Sequence, residues 1–549
     1  MKYLFAAALV VLLLSSVGLR MSFPDVTSDR PVIYWITDKN PARVEQVNAF
    51  HRWLVEEGHT AEDGGPACEL RLDTSNAEMT KKVIQSVSGV GSEVMDLYSG
   101  RDMRFMAAMG VIAPVGEAAE RLNFSIEDTW AVVEPEIAID GTQYMYPCNV
   151  TVPTVIVNPK AFEAVGRPRP PRRWTVEEFE AAGKAYVAAA NDPDTPASDR
   201  KFFINRIPSD VLWRSFGASV FNETATASGF DHPGYRDSLV LLRKWIYEDR
   251  IMPTPDDEAA FSTAQGYGGA ALSLFGRGNY AMVTGGRYFL IQLRNFPNLD
   301  ELTVCELPHA GFPNTAIGTR AASVYAGSDA QEYAHLFLAF LASDAYNALI
   351  VRDADALPPN PAATRTEAFL RPPDHPGEWD FHGPLAEMLA DIGIGGAYSP
   401  FIQIKEATRE RDQYDQLFRI GRISVEEAVA RTHGAVNRRI AATLERKPEL
   451  QPEHERRLVI QAAIDRRKDA GEPIPENWVF NAFHEAYYGK TGRLGPAEAF
   501  PPGGEPVAGT GGAAELLPPV EPGDRLTPGA PDSVNGSTAS PTPAAPGAA

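Results

Sequence analysis

Most side chains here that could carry chemistry stand outside any reactive pattern. Gly489-Lys490-Thr491 imitates the end of a phosphate-binding loop, but His484 stands where the motif needs a glycine. The glycines between 266 and 278 form no G-x-G-x-x-G after a strand, so they offer no dinucleotide site. Neither H-E-x-x-H nor a G-x-S-x-G nucleophile elbow occurs, and the ten histidines are scattered. Cys68, Cys148 and Cys305 lack C-x-x-C spacing and read as small buried residues, with one disulfide as the alternative. Carboxylate pairs that cleave glycosides act through space, and spacing marks none here. The sequence indicates no catalytic residue, no metal and no cofactor.

Groups suited to reversible binding are better placed. Thr37, Asp38 and Asn40 follow an apolar strand at 31–36 and directly precede a helix; Asp38 and Asn40 either meet a ligand or cap that helix. Tyr98, Ser99 and Arg101 follow the third strand, at 94–98, and Asp102 could cap the helix after it. Asn149 and Thr151 precede Pro153, which forces a crossover or a sheet edge. Trp213 and Arg214 lie in a helical stretch where core packing competes for the tryptophan. Gly286, Arg287 and Tyr288 follow a strand at 278–283, Tyr398 sits in a late loop, and Trp35 reads as core.

The elements that position these groups alternate. Strands are predicted at 31–36, 70–72 and 94–98, with helices at 42–57, 80–88 and 103–109. Val44, Val47, Phe50 and Leu54 should form the buried face of the first helix. Such alternation implies parallel βαβ units. Residues 141–179 are the most informative stretch: a strand at 144–147, a crossover, a β-branched run at 152–157, then Asn158-Pro159 opening a short helix. Gly166 ends that helix, prolines 168, 170 and 171 prevent its return, and Thr175 with Glu178 forms a capping box. The middle region, 174–251, reads as mainly helical, and 261–269 as a loop of small residues.

Residues 141–179 resemble the crossover region of family 1 extracellular solute-binding proteins, the sugar-capturing subunits of bacterial ABC importers. Val157 and Pro159 stand where that family often has tyrosine and lysine beside the asparagine. Further weak motifs keep the family order to about residue 444: Gly278-Asn279-Tyr280-Ala281-Met282, Leu357-Pro358, and Gly421 to Ala428. The resemblance implies an α/β, two-lobed periplasmic-binding-protein type II fold with hinge crossovers. It also implies a carbohydrate ligand, whose ring faces stack on aromatics and whose hydroxyls need planar polar partners. Asp38 and Lys39 resemble the aspartate–lysine pair near the start of maltose-type receptors, and Tyr288 matches a stacking aromatic. The ligand would meet Thr37, Asp38, Asn40, Tyr98, Ser99, Arg101, Asn149, Thr151, Trp213, Arg214, Gly286, Arg287, Tyr288 and Tyr398. The implied partners are that ligand and the membrane permease subunits, with the protein a monomer.

The expected divisions are a signal peptide or signal anchor at 1–20, a tether at 21–30, lobe I at 31–148 and 282–328, and lobe II at 149–281 and 329–445. A helical extension follows at 446–500 and a disordered Pro/Gly/Ala-rich tail at 501–549. Lys2 followed by an apolar run to Leu19 is an export element, which places the rest outside the cytoplasm, periplasmic or tethered to the membrane. A formal charge of −21 argues against nucleic acid as a partner. Two other functions fit the same residues: an extracellular glycan hydrolase, and a binding-protein-derived scaffold that has lost its ligand.

Overall fold

The structure is a computed structural model that describes residues 30–261 and 269–506. The apolar start, the tether up to residue 29, most of the 261–269 loop and the tail beyond 506 lie outside the described residues. In chain order the main strands are β1 (Val32–Ile36), β2 (Glu69–Asp73), β3 (Val94–Leu97), β4 (Met145–Thr151), β5 (Thr154–Val157), β6 (Phe202–Ile204), β7 (Tyr280–Gly285), β8 (Thr303–Cys305) and β9 (Gly318–Val324). They form two sheets, ordered β2-β1-β3-β9-β4 and β8-β5-β7-β6. All four residues of β3 are buried, as a central strand covered on both faces requires.

The helices divide between the lobes by what they cover. α1 (Ala42–Glu56), α2 (Met79–Val87) and α3 (Gly100–Ala108) follow β1, β2 and β3, while α4 (Val176–Ala190), α5 (Ser209–Ser215) and α6 (Pro233–Tyr247) belong to the second lobe. α7 (Gln331–Ala342) and α8 (Asp344–Asp353) return to the first sheet. α9 (Trp379–Ile392), α10 (Ile404–Arg419) and α11 (Val425–Arg446) complete the second lobe, and α12 (Gln451–Ala470) and α13 (Ala482–Lys490) form the extension. The capping box holds: Thr175 Oγ1 accepts from Glu178 N, and the Glu178 carboxylate from Thr175 N. The predicted face of α1 is rotated. Val44 is exposed, and the buried side carries Arg43, Gln46, Ala49, Phe50, Trp53 and Leu54, because Arg43 enters a buried charge network.

Three crossings join the lobes. Pro153 has no N–H for a ladder, so the chain leaves the first sheet there and enters the second as β5. β9 returns from the second lobe and runs antiparallel to β3 and β4, completing the first sheet. Near the third crossing, Leu357 and Val150 exchange both backbone hydrogen bonds at 2.9 Å. The sheet pairings differ from the expected division at 282–328. β7 pairs with β5 and β6 in the second sheet, and α7 packs on the first, because the return to lobe I begins only at β9. β6 also lies in the stretch read as mainly helical; three residues are too short to show a period.

One apolar cluster runs through the hinge, from Ile36, Met95 and Leu97 to Phe202, Val283 and Phe381. Two others cover the outer faces, around Trp35, Phe50 and Phe337 in lobe I and around Trp174, Phe179 and Trp245 in lobe II. The three cysteines are free and buried. Among the described residues no single helix is long and apolar enough to cross a membrane.

Candidate functional site

The residues after β1 are committed to the fold more than to a ligand. Thr37 is buried and donates to Asp96 Oδ2 at 2.6 Å. Asn40 is buried and accepts from Ala42 N at 3.0 Å, so it caps the start of α1. Asp38 is half-exposed, and Arg43 donates to both its oxygens at 3.0 Å. These contacts begin a chain of alternating charge. Arg43 donates to Asp355 at 2.5 Å, Arg320 reaches Asp355 at 3.4 Å, and Arg320 donates to Asp96 at 2.8 Å. Asn149 is buried and stands opposite Arg320 in the β4–β9 ladder. Burial alone would raise the Asp355 carboxyl, but the charges of Arg43 and Arg320 outweigh it and hold its pKa below the usual value.

The loop after β3 is more open. Tyr98 is 43 % exposed, with Lys82 Nζ 5.6 Å from its ring centre. Ser99 caps α3 by accepting from Asp102 N, so the cap expected of Asp102 comes from Ser99 instead. Arg101 is half-exposed beside Asp102. A methyl group on Gly100 would lie 2.5 Å from Pro135 O, so only glycine permits this approach.

On the second lobe, Thr284 N and Oγ1 bind Asn205 Oδ1 and Arg206 O, fixing the ends of β6 and β7 together. Tyr288 is half-buried and packs edge-on against Phe289, 4.9 Å between ring centres. Gly286 lies beside Thr151 of the first crossing. Arg287 departs from its expected role. It is buried, and donates to Ile350 O, Val351 O, Ala356 O and His382 Nδ1, between 2.8 and 3.1 Å. It therefore closes the carbonyl end of α8 and grips the third crossing instead of facing a ligand. Burial and nearby Arg294 lower its pKa to about 9, so it stays charged at neutral pH, while burial holds His382 neutral with a pKa of about 4.

Trp213 is also core: its ring meets Phe230 and Tyr235 at 5.6 Å, with Arg411 above it at 4.9 Å. Arg214 is buried near Phe483, and its Nη1 has no hydrogen-bond partner among the described residues. Tyr398 bridges the lobes. Its hydroxyl donates to Glu136 Oε1 at 2.8 Å, and Arg104 lies over its ring at 4.4 Å. Glu136, Arg104, Lys82, Asn205 and Arg206 went unread in the sequence. Asn205 and Arg206 directly follow β6, a strand of three residues that is too short to be read from the sequence. A shallow pocket of about 400 Å³ on lobe I, lined by Asn123, Thr129, Asn360 and Arg365, shares none of these loops.

Residues 61–348 match the family described as bacterial extracellular solute-binding protein. The chain belongs to this family. Its members are binding proteins of the extracytoplasmic space, and the two-sheet hinged architecture fits that membership. Among solved structures, an ABC substrate-binding protein from Listeria monocytogenes in complex with cycloalternan is 17% identical. The match covers 75% of this chain and all of that one, with a TM-score of 0.60. A solute-binding protein from Thermotoga lettingae bound with alpha-D-tagatose is 14% identical over 75% and 100% of the two chains, with a TM-score of 0.60. The GacH receptor of Streptomyces glaucescens, solved with acarbose, is 14% identical over 75% and 99%, with a TM-score of 0.59. These likenesses establish the two-lobed fold. No curated protein matches the chain.

Proposed function

We propose that this solute-binding protein captures a carbohydrate between its lobes and delivers it, unconverted, to a membrane ABC permease. Family membership carries the reading, and the sugar ligands of the structurally similar receptors support it. The open groups at the strand ends suit it chemically. Tyr98 and Tyr288 offer apolar ring faces, and Ser99, Arg101, Thr151, Asn205 and Arg206 offer hydrogen bonds to hydroxyls. The protein acts as a monomer with no cofactor, and ligand prefers the closed arrangement, as a hinged receptor requires.

A thermal-shift screen across mono- and oligosaccharides tests this. A sugar at a hundred times its Kd should stabilise the fold by about 2.7 kcal/mol. With that sugar, Tyr288→Ala or Tyr98→Ala should weaken calorimetric binding by roughly 1–3 kcal/mol. A screen with no shift, or turnover of the sugar by the purified protein, would defeat the reading.

A further inference from the structure

We propose that Glu136 is a positioning residue that latches the two lobes and sets how far the receptor stands closed before ligand arrives. Glu136 sits in the short helix Glu134–Ile137, which packs on α3 and the first sheet. It is 2% exposed, yet it forms no ion pair among the described residues. A carboxylate removed from water must find donors. Glu136 finds three: Gly100 N on Oε2 at 2.6 Å, and Gly396 N and the Tyr398 hydroxyl on Oε1 at 3.0 and 2.8 Å.

The two oxygens divide between the lobes. Gly100 opens α3 of lobe I. Gly396 and Tyr398 follow strand Gly393–Ile394, and that segment is anchored in lobe II: Ser399 donates to Ala225 O, and Ala397 and Phe401 pack with Trp213 and Tyr235. Opening the clamp therefore takes both donors from Oε1 and leaves the Oε2 contact in place. Burial and the Glu136 charge push the Tyr398 phenol well above its ordinary pKa, so it remains a donor. Arg104, held by Pro135 O and Ala138 O, covers the Tyr398 ring from the lobe I side. The glycines permit the approach. A Cβ on Gly395 would lie 3.1 Å from the Pro135 ring across the gap, and one on Gly396 would strike the Tyr398 hydroxyl. A ligand binding the closed form gains from a latch that already populates it, since apparent affinity scales with the competent fraction.

The inference rests on the hinged-receptor reading, and its test is kept separate by using ligand-free protein. Spin labels at Glu120→Cys and Ala181→Cys, exposed on lobes I and II, report the interlobe distance by pulsed electron resonance; the native cysteines are buried. The parent should give a short distance. Glu136→Ala should lengthen it, and Tyr398→Phe, which spares the Gly100 contact, should lengthen it in part with an unchanged melting temperature. Affinity for a sugar that binds the parent, for example maltotriose, should fall roughly tenfold in Glu136→Ala. Ligand-free distances identical across parent, Glu136→Ala and Tyr398→Phe would overturn the latch, whatever the sugars do. If Glu136→Ala does not fold, Tyr398→Phe alone decides. A failed sugar screen would instead overturn the receptor reading and leave the distance result standing.

Discussion

Arg287 and Tyr98 show how little residue type says about role. Both follow apolar strands, and both suit a sugar site. Arg287 is buried with four acceptors at hand, three of them carbonyls around the end of α8, whereas Tyr98 keeps much of its ring open. Replacing Arg287 by methionine leaves those carbonyls unpaired in the interior, which should cost roughly 3 kcal/mol of stability in urea unfolding. Tyr98→Ala should leave unfolding within about 0.5 kcal/mol of the parent, since an exposed ring contributes little packing. An Arg287→Met protein as stable as its parent would return that residue to the list of ligand contacts. Asp38 is intermediate: half-exposed, but with both oxygens held by Arg43.

At the scale of elements, two buried carboxylates give opposite pH responses. The extension docks on lobe II through Glu223, which accepts from Gln461 and Lys468 of α12 and from Tyr488 of α13. Burial would raise the Glu223 carboxyl, but the positive charge and donors around it hold its pKa down to about 2. A folded pKa below the unfolded value stabilises docking above about pH 4.5 and loses that contribution as pH falls toward 2. The loss is roughly 3 kcal/mol. Limited proteolysis should therefore release α12–α13 as pH falls, and Glu223→Gln should release them already at neutral pH. Asp415 of α10 accepts from Tyr235 of α6, and burial pushes its pKa up to about 6. A raised carboxyl pKa means the folded state holds the extra proton, so stability falls as pH rises from about 4 to 6. Asp415→Asn should gain in melting temperature over its parent across that interval; a constant difference would contradict the assignment.

At the scale of the whole molecule, the lobes meet through backbone close enough to need glycine. Gly395→Val should clash with Pro135 only in the closed arrangement. Unfolding should change by less than about 1 kcal/mol, while the ligand-free interlobe distance grows. The extension adds to this meeting, because Phe483 of α13 packs against Phe312 and against Ile394, two residues before Gly396.

The alternation of strands and helices, the Pro153 crossing, the capped helices and the family were legible in sequence, because periodicity, prolines and caps act over a few residues. The ends of β1 and β3 were legible as well, within a residue or two. The sequence did not reveal which side chain of a strand-end trio stays open. Arg287 was lost to the carbonyls of α8, more than sixty residues away in the chain, and Thr37 to Asp96. Nor did Glu136 stand out, since a glutamate in a short helix reads as solvated until Gly100 and Tyr398 are brought to it. Whether a polar group binds ligand or fold depends on which partners reach it, and that is settled by contacts between distant segments, which only the tertiary structure brings together.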